Sequence, residues 1–407
     1  MTVLSRGAAG PSARPGRPGL TELRLSAFAA HRAATYPLGP LTLFAGPSGS
    51  GKTGALRAYE ALARLGGGAS LAEAFPDPAA CVPERARPDA EQRRGFRIGC
   101  TVDGPAGAVR LDLAVQAEPE LRIVGERLTL DGLTLLETAL RDPGRPTVQA
   151  AWHTAGATPV TRAPLPDDLL GTALVPLRVA GKTDGQRLVI AAAEQAVVAL
   201  RSVFACDPRP DRMRAPVPCG DGRLLSGCDN LADVLLRTRA ECGRRHGLFV
   251  NAVRAGCAGP VADVLTEALP DGTVRAVVDR GDGVRTPVRQ LGEGELRYLA
   301  FALVLLTGPG VLEVDPVAEV PSAYQSLTVL TDGLDRCLDA RQFRELVTLA
   351  HAMCARGHIR LVGTVGETAP LSEATRVEMG ETGETQETGE TGEAARAGVL
   401  TVVDLGR

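Results

Sequence analysis

Apolar residues along this chain recur in two rhythms, and the switches between them predict the elements. In the segment Thr21–Phe28 (TELRLSAF) polar and apolar residues alternate, as in a half-buried strand. LTLFA at 41–45 is a short apolar stretch and reads as a buried strand. It runs into Gly46–Thr53 (GPSGSGKT), and the next segment, ALRAYEALARL, has helical spacing that stops at Gly66, Gly67 and Gly68. The Pro- and Arg-rich stretch 75–96 reads as a loop. Short alternating runs between 97 and 136 (RIGCTV, AVRLDLAV, LRIVGERLTL) predict an antiparallel sheet. The weakly patterned stretch 137–185 predicts no element.

Helical rhythm returns over 186–265, and VRAVVDR-GDG-VRTPVR at 274–289 carries a hairpin signal. Leu291-Gly-Glu-Gly-Glu295 then opens the apolar helix LRYLAFALVLL. A second buried strand, LTVLT at 327–331, ends on Asp332, and a helix (ARQFRELVTLAHAMCARG) leads to the strand IRLVGTV at 359–365. The Gly-Glu-Thr run at 380–393 has the composition of a solvated linker, and VLTVVDLGR reads as a closing strand.

Strand, glycine loop and helix in that order are the setting a phosphate-binding loop requires. Gly46, Pro47, Ser48, Gly49, Ser50 and Gly51 allow successive backbone N–H groups to converge on phosphate oxygens at a helix N-terminus. Lys52 reaches the outer phosphates, and Thr53 offers its hydroxyl to magnesium. Composition sharpens this assignment. Of 45 basic residues only Lys52 and Lys182 are lysine. A lysine kept against such a bias marks a place for a compact ammonium. Lys182 also lies in a Gly-Lys-Thr triplet, but Pro176 stands where the loop's first glycine belongs, so that triplet reads as surface loop.

Other bulk properties mainly exclude. The net charge of −3 gives no strongly basic total, and no stretch has the roughly 18–20 apolar residues of a membrane span. Nine scattered cysteines without a C-x-x-C pair argue against structural zinc and suit reduced thiols in a cytoplasmic protein. The first eighteen residues lack the apolar run of a signal peptide. Local arginines (Arg93, Arg94, Arg209, Arg212, Arg214, Arg244, Arg245) are candidates for phosphate contact or for a solvated face.

The second half of the chain narrows the choice among P-loop classes. Leu291, Gly292, Glu293, Gly294 and Glu295 resemble the signature loop of ABC-type ATPases, and Asp332-Gly-Leu-Asp-Arg-Cys-Leu-Asp339 resembles their Walker B segment with its D-loop (Leu338, Asp339). Asp315, in VLEVDP, is a rival Walker B residue; Asp332 is favoured because the Leu-Asp pair follows it. With ERLTLDGLTLLE at 126–137 and the helix start at Asp229–Ala232, the chain resembles the RecF/SMC-like branch, including bacterial stand-alone AAA-type ATP-binding proteins, over about 20–372 plus the last strand. The interval between Lys52 and the signature is too long for a transporter head and too short for coiled-coil arms.

That resemblance implies an α/β P-loop NTPase head with a mixed sheet, an antiparallel β subdomain and a helical lobe. The expected parts are a disordered tail (1–18), an N-terminal lobe part (19–185), a helical lobe (186–285), a core segment (286–372), a linker (373–396) and a closing strand (397–407). Residues 20–136 and 286–365 are expected to share one sheet. It further implies ATP with Mg²⁺ held by Thr53 and Asp332, and an ATP-dependent homodimer in which the signature acts in trans. A protein effector, and nucleic acid by family analogy only, are possible partners; membrane is not. The implied roles are DNA repair, maintenance or phage defence, or else an ATP-gated binding module with little hydrolysis.

Three departures concern turnover. Gly333 stands where the family has its water-activating Glu, Val365 where it has a switch His, and Gly292 where it has the signature Ser. Loss of a positioned general base costs about 10²–10⁴ in rate, so hydrolysis is expected to be slow. Asp335 is the first candidate substitute, ahead of Glu293 and Glu295, and Gly333→Glu is expected to raise the rate.

Overall fold

The computed structural model describes residues 16–155, 159–314, 325–366 and 399–405. Five strands form an all-parallel sheet in the order Val203–Ala205, Leu327–Thr331, Ile359–Val365, Leu41–Ala45 and Leu400–Asp404. The three apolar runs that announce themselves in sequence occupy its centre, where both faces are covered. One face sends Leu43, Val329 and Leu361 into a core shared with the helices Glu293–Leu306 and Ala340–Cys354. The other sends Phe44, Leu330 and Val362 against the helix Lys52–Gly66 and a second sheet.

This second sheet has eight antiparallel strands. Their order is His31–Pro37, Gly19–Phe28, Arg94–Asp103, Val109–Glu118, Arg122–Leu130, Leu133–Ala139, Thr147–His153 and Val160–Pro166. The expectation of one shared sheet is thus replaced by two sheets packed across a common core. The last two strands lie in the stretch whose sequence predicts no element. Helix Asp184–Arg201, whose rhythm groups it with the later helices, instead packs on Lys52–Gly66 and the antiparallel sheet. Gly181-Lys182-Thr183 is its lead-in, with the Thr183 hydroxyl accepting from Gln186 N as an N-cap.

A small sheet of Val217–Pro218, Thr273–Gly281, Asp263–Ala268 and Val284–Pro287 shares the core of the two helices Glu293–Leu306 and Ala340–Cys354, with helix Leu231–Glu241 against it. The region 186–285 is therefore not purely helical. Helix Gly243–Gly256 packs on the two core helices. It ends on glycine because a Cβ on Gly256 would lie 2.1 Å from a ring carbon of buried Tyr298.

One buried carboxylate joins the antiparallel sheet to helix Gly171–Arg178. Glu126, 3% exposed, accepts from Gly171 N (2.7 Å), Thr172 N (2.6 Å) and the Thr172 hydroxyl. Burial pushes its carboxyl upward in pKa, and these three donors oppose that shift. Glu126→Ala strands two buried N–H groups at about 1–3 kcal/mol each. A loss of about 2–6 kcal/mol is expected, read from the urea midpoint.

Candidate functional site

The carboxyl ends of three adjacent parallel strands converge on one cleft of about 560 Å³. Open parallel sheets bind ligands at such an edge. Leu41–Ala45 delivers the glycine loop. Gly46, Gly49 and Gly51 take φ of +148°, +82° and +99°, which any side chain would oppose, and Gly51 is the N-cap of helix Lys52–Gly66. Lys52 Nζ donates to the carbonyls of Gly46 (2.5 Å) and Pro47 (2.9 Å), so its ammonium lies across the loop.

Leu327–Thr331 delivers Asp332. Its Oδ2 accepts from the Thr53 hydroxyl (3.0 Å), and its Oδ1 accepts from the Thr364 hydroxyl (2.5 Å) on the neighbouring strand. Thr364 in turn accepts from Gly333 N (2.7 Å). One carboxylate and one hydroxyl at this spacing suit a small, hard, oxygen-seeking cation that keeps several waters. Among the described residues no cluster of three or more His, Cys, Asp or Glu offers a different metal site. Asp315 lies outside the described residues, as does the run 380–393.

The remaining candidates are distributed unevenly. Asp335 lines the cleft, but its Oδ2 is engaged by Gly366 N (2.7 Å). Val365 and Gly333 also line it, whereas residues 291–295 do not. Leu291 is buried, and Gly292 caps helix Glu293–Leu306. Glu295 closes that cap on Gly292 N (3.1 Å) and also binds Ala258 N (3.0 Å), which removes it as a substitute base. Gly294 packs against the Cys337 carbonyl, 2.3 Å from where its Cβ would be, and the Cys337 thiol faces Glu293 (3.6 Å). The signature-like turn thus meets the segment Asp335–Asp339 of its own chain and not its own glycine loop. Leu338 is half-buried on the core, and Asp339 caps helix Ala340–Cys354 by accepting from Gln342 N (2.7 Å).

Gly333 differs from the sequence expectation in a specific way. Its φ of +67° is left-handed, and the Arg336 guanidinium lies 3.1–3.2 Å from the position a Cβ would take. A glutamate here must adopt a conformation costing about 1–2 kcal/mol and displace, or pair with, that cation. Gly333→Glu is therefore expected to leave turnover unchanged and to lower stability by about 1–2 kcal/mol, as steady-state phosphate release and thermal melting would report.

Three contributors escape the sequence. Thr364 is one, since only the pairing of Ile359–Val365 with its neighbours brings its hydroxyl to Asp332. His31 is another: its Nε2 bonds the Gly51 carbonyl (3.1 Å), its Nδ1 pairs with the Tyr36 hydroxyl (2.8 Å), and its ring occupies the space beside Gly51 and Gly54. Burial lowers the His31 pKa against the Gly51 bond, which favours a neutral ring donating to the loop. Third is Arg297, 2% exposed, which donates to Pro208 O (2.9 Å) and Gly333 O (3.0 Å) and ties the signature-like helix to the Asp332 turn. None has a local sequence signal. Of the surface arginines, Arg93 pairs with Asp89 and Glu91, Arg94 with Glu118, and Arg212 with Asp229, while Arg214 bonds Leu291 O.

No protein-family description matches the chain, and no curated protein matches it by sequence. Among solved structures it is similar to an Smc head bound to the C-winged helix domain of ScpA, with 11% identity over 87% of this chain and 92% of that one and a TM-score of 0.49. It is also similar to the SMC head domain from Thermotoga maritima, with 12% identity, 88% and 92% coverage and a TM-score of 0.41. A third is the Pyrococcus furiosus Smc head with an extended coiled coil, bound to the C-terminal domain of ScpA, with 10% identity, 87% and 91% coverage and a TM-score of 0.45. The mixed α/β class stands on the chain's own parallel and antiparallel sheets, its helices and its glycine loop. Among the described residues no helix is long and apolar enough to cross a membrane.

Proposed function

We propose that this chain is an ATP-binding head that holds ATP with Mg²⁺ and turns it over slowly. The observation that carries this reading is the 3.0 Å bond from the Thr53 hydroxyl, in the first turn of helix Lys52–Gly66, to Asp332 at the end of strand Leu327–Thr331. Phosphates would rest on the loop N–H groups and the Lys52 ammonium, and Thr53 with Asp332 would hold the metal, whose charge would offset that of the phosphates. Slow turnover follows from Gly333, which supplies no water-activating carboxylate and whose left-handed backbone has the Arg336 guanidinium beside it.

Closure in pairs is part of the proposal. The signature-like turn at Leu291–Glu295 does not line its own cleft, so its phosphate-facing role requires a second copy. The slow-turnover variant of the reading, an ATP-gated binding module serving a protein effector, is favoured by Gly292, Gly333 and Val365 together. DNA maintenance or phage defence is the cellular setting the resemblance suggests.

ATP affinity and turnover measured side by side on the full chain test the core of this reading. Binding that depends on Mg²⁺, with turnover below about 1 s⁻¹, is expected. Absence of ATP binding would overturn the proposal. Turnover typical of working enzymes would shift it to an ATPase with another water-positioning group, and Asp335→Asn would then identify that group. Sizing the protein with and without ATP tests the dimer separately.

A further inference from the structure

The cleft holds a second cation besides Lys52. Arg336 is brought there by a tight turn in which Arg336 N donates to Gly333 O (3.1 Å), and Gly333 and Cys337 take φ of +67° and +62°. The turn folds the Arg336 side chain back over Gly333, with Nε and NH2 3.1 and 3.2 Å from where a Cβ would stand. There it lines the cleft together with the glycine loop, Asp332 and Thr364–Gly366.

Its neighbours are occupied. Asp332 accepts from Thr53 and Thr364, Asp335 accepts from Gly366 N, and Lys52 donates to Gly46 and Pro47. Arg297, behind the same turn, is buried on two carbonyls. Among the described residues, however, the exposed Arg336 guanidinium makes no hydrogen bond or ion pair. An extended donor fork held at the metal-carboxylate side of a phosphate loop has the form that pairs with a phosphoryl group.

We infer that Arg336 contacts the terminal phosphate of a nucleoside triphosphate bound in its own chain, and that it sets the preference for triphosphate over diphosphate. The inference rests on the nucleotide-binding reading above. On this inference a diphosphate held by the loop N–H groups and Lys52 would end short of the Asp332 turn, and the fork would gain its partner only with a third phosphate. The same cation fills the space beside Gly333, so the turn exchanges a group for activating water for one that holds the phosphate. Tight triphosphate binding and slow turnover would then have one physical origin.

The experiment is equilibrium binding of ATP and ADP, with Mg²⁺, to the full-length wild type, Arg336→Ala, Arg336→Lys and Lys52→Ala, each checked by thermal melting. The wild type is expected to prefer ATP. Arg336→Ala should weaken ATP binding about tenfold or more while leaving ADP binding unchanged, because a charge-assisted contact to the third phosphate alone is lost. Arg336→Lys should recover part of the preference, since an ammonium keeps the charge and loses the fork. Lys52→Ala should weaken both nucleotides. An unchanged ATP-to-ADP ratio in Arg336→Ala, with Lys52→Ala still defective, would overturn the role of Arg336 alone. Full affinity in Lys52→Ala would instead overturn the nucleotide site itself, and the inference with it.

Discussion

Lys52→Ala is expected to remove nucleotide binding while the protein stays folded. The Lys52 ammonium is half-exposed and bonds only loop carbonyls, Gly46 and Pro47, so its loss leaves no buried charge unpaired. What disappears is a set of charge-assisted contacts to phosphate, each worth about 1.5–3 kcal/mol, or roughly tenfold to a hundredfold in affinity. Titration of fluorescent ATP followed by a melting curve reads both halves of the expectation. Lys182→Ala is the matched control, because Lys182 is exposed and stands before the Thr183 cap of a different helix. Equal affinity in wild type and Lys52→Ala would remove the phosphate loop from consideration.

The second large effect is expected at Asp332. Its two carboxylate oxygens take the Thr53 and Thr364 hydroxyls, and it is the carboxylate that the cleft places on Thr53. Asp332→Asn retains the shape and removes the charge that a divalent cation needs. The gain in ATP affinity on adding Mg²⁺ is therefore expected to vanish, while metal-free binding remains as in the wild type. A neutral ligand in place of a carboxylate costs a metal site several kcal/mol, so a change of at least about tenfold is the readout. Asp315→Asn is the companion variant. If it, and not Asp332→Asn, abolishes the Mg²⁺ effect, the metal carboxylate belongs to the earlier apolar run.

The parts of this molecule legible in its sequence are those fixed by neighbours along the chain. LTLFA, LTVLT and IRLVGTV are predominantly apolar because they lie at the centre of a sheet covered on both faces, and the glycine loop has its own spacing. Strands Thr147–His153 and Val160–Pro166 were not legible. They sit toward one edge of the antiparallel sheet, are half-polar, and the second contains and ends on proline. Val203–Ala205 is hidden for another reason: three residues directly behind a long helix carry no period of their own.

At the site, Lys52, Thr53 and Asp332 follow from motif and order. The environment of Gly333 does not. The one-letter pattern shows a missing glutamate, but the left-handed φ and the Arg336 guanidinium arise from a turn whose shape is three-dimensional. His31 and Thr364 were invisible for the same reason, since each reaches the loop or Asp332 from a different strand.

The placement of strand Leu41–Ala45 also bears on how the protein is made. It lies between Ile359–Val365 and Leu400–Asp404, both of which leave the ribosome long after it. Through most of translation the loop-bearing strand therefore has two open edges and an uncovered Leu43, whose core neighbours come from the late helices, while the antiparallel sheet, built largely from consecutive hairpins, can already close. An open apolar strand of this kind invites pairing with other nascent chains. Cells making this protein quickly should thus depend on a holding chaperone until the late strands arrive.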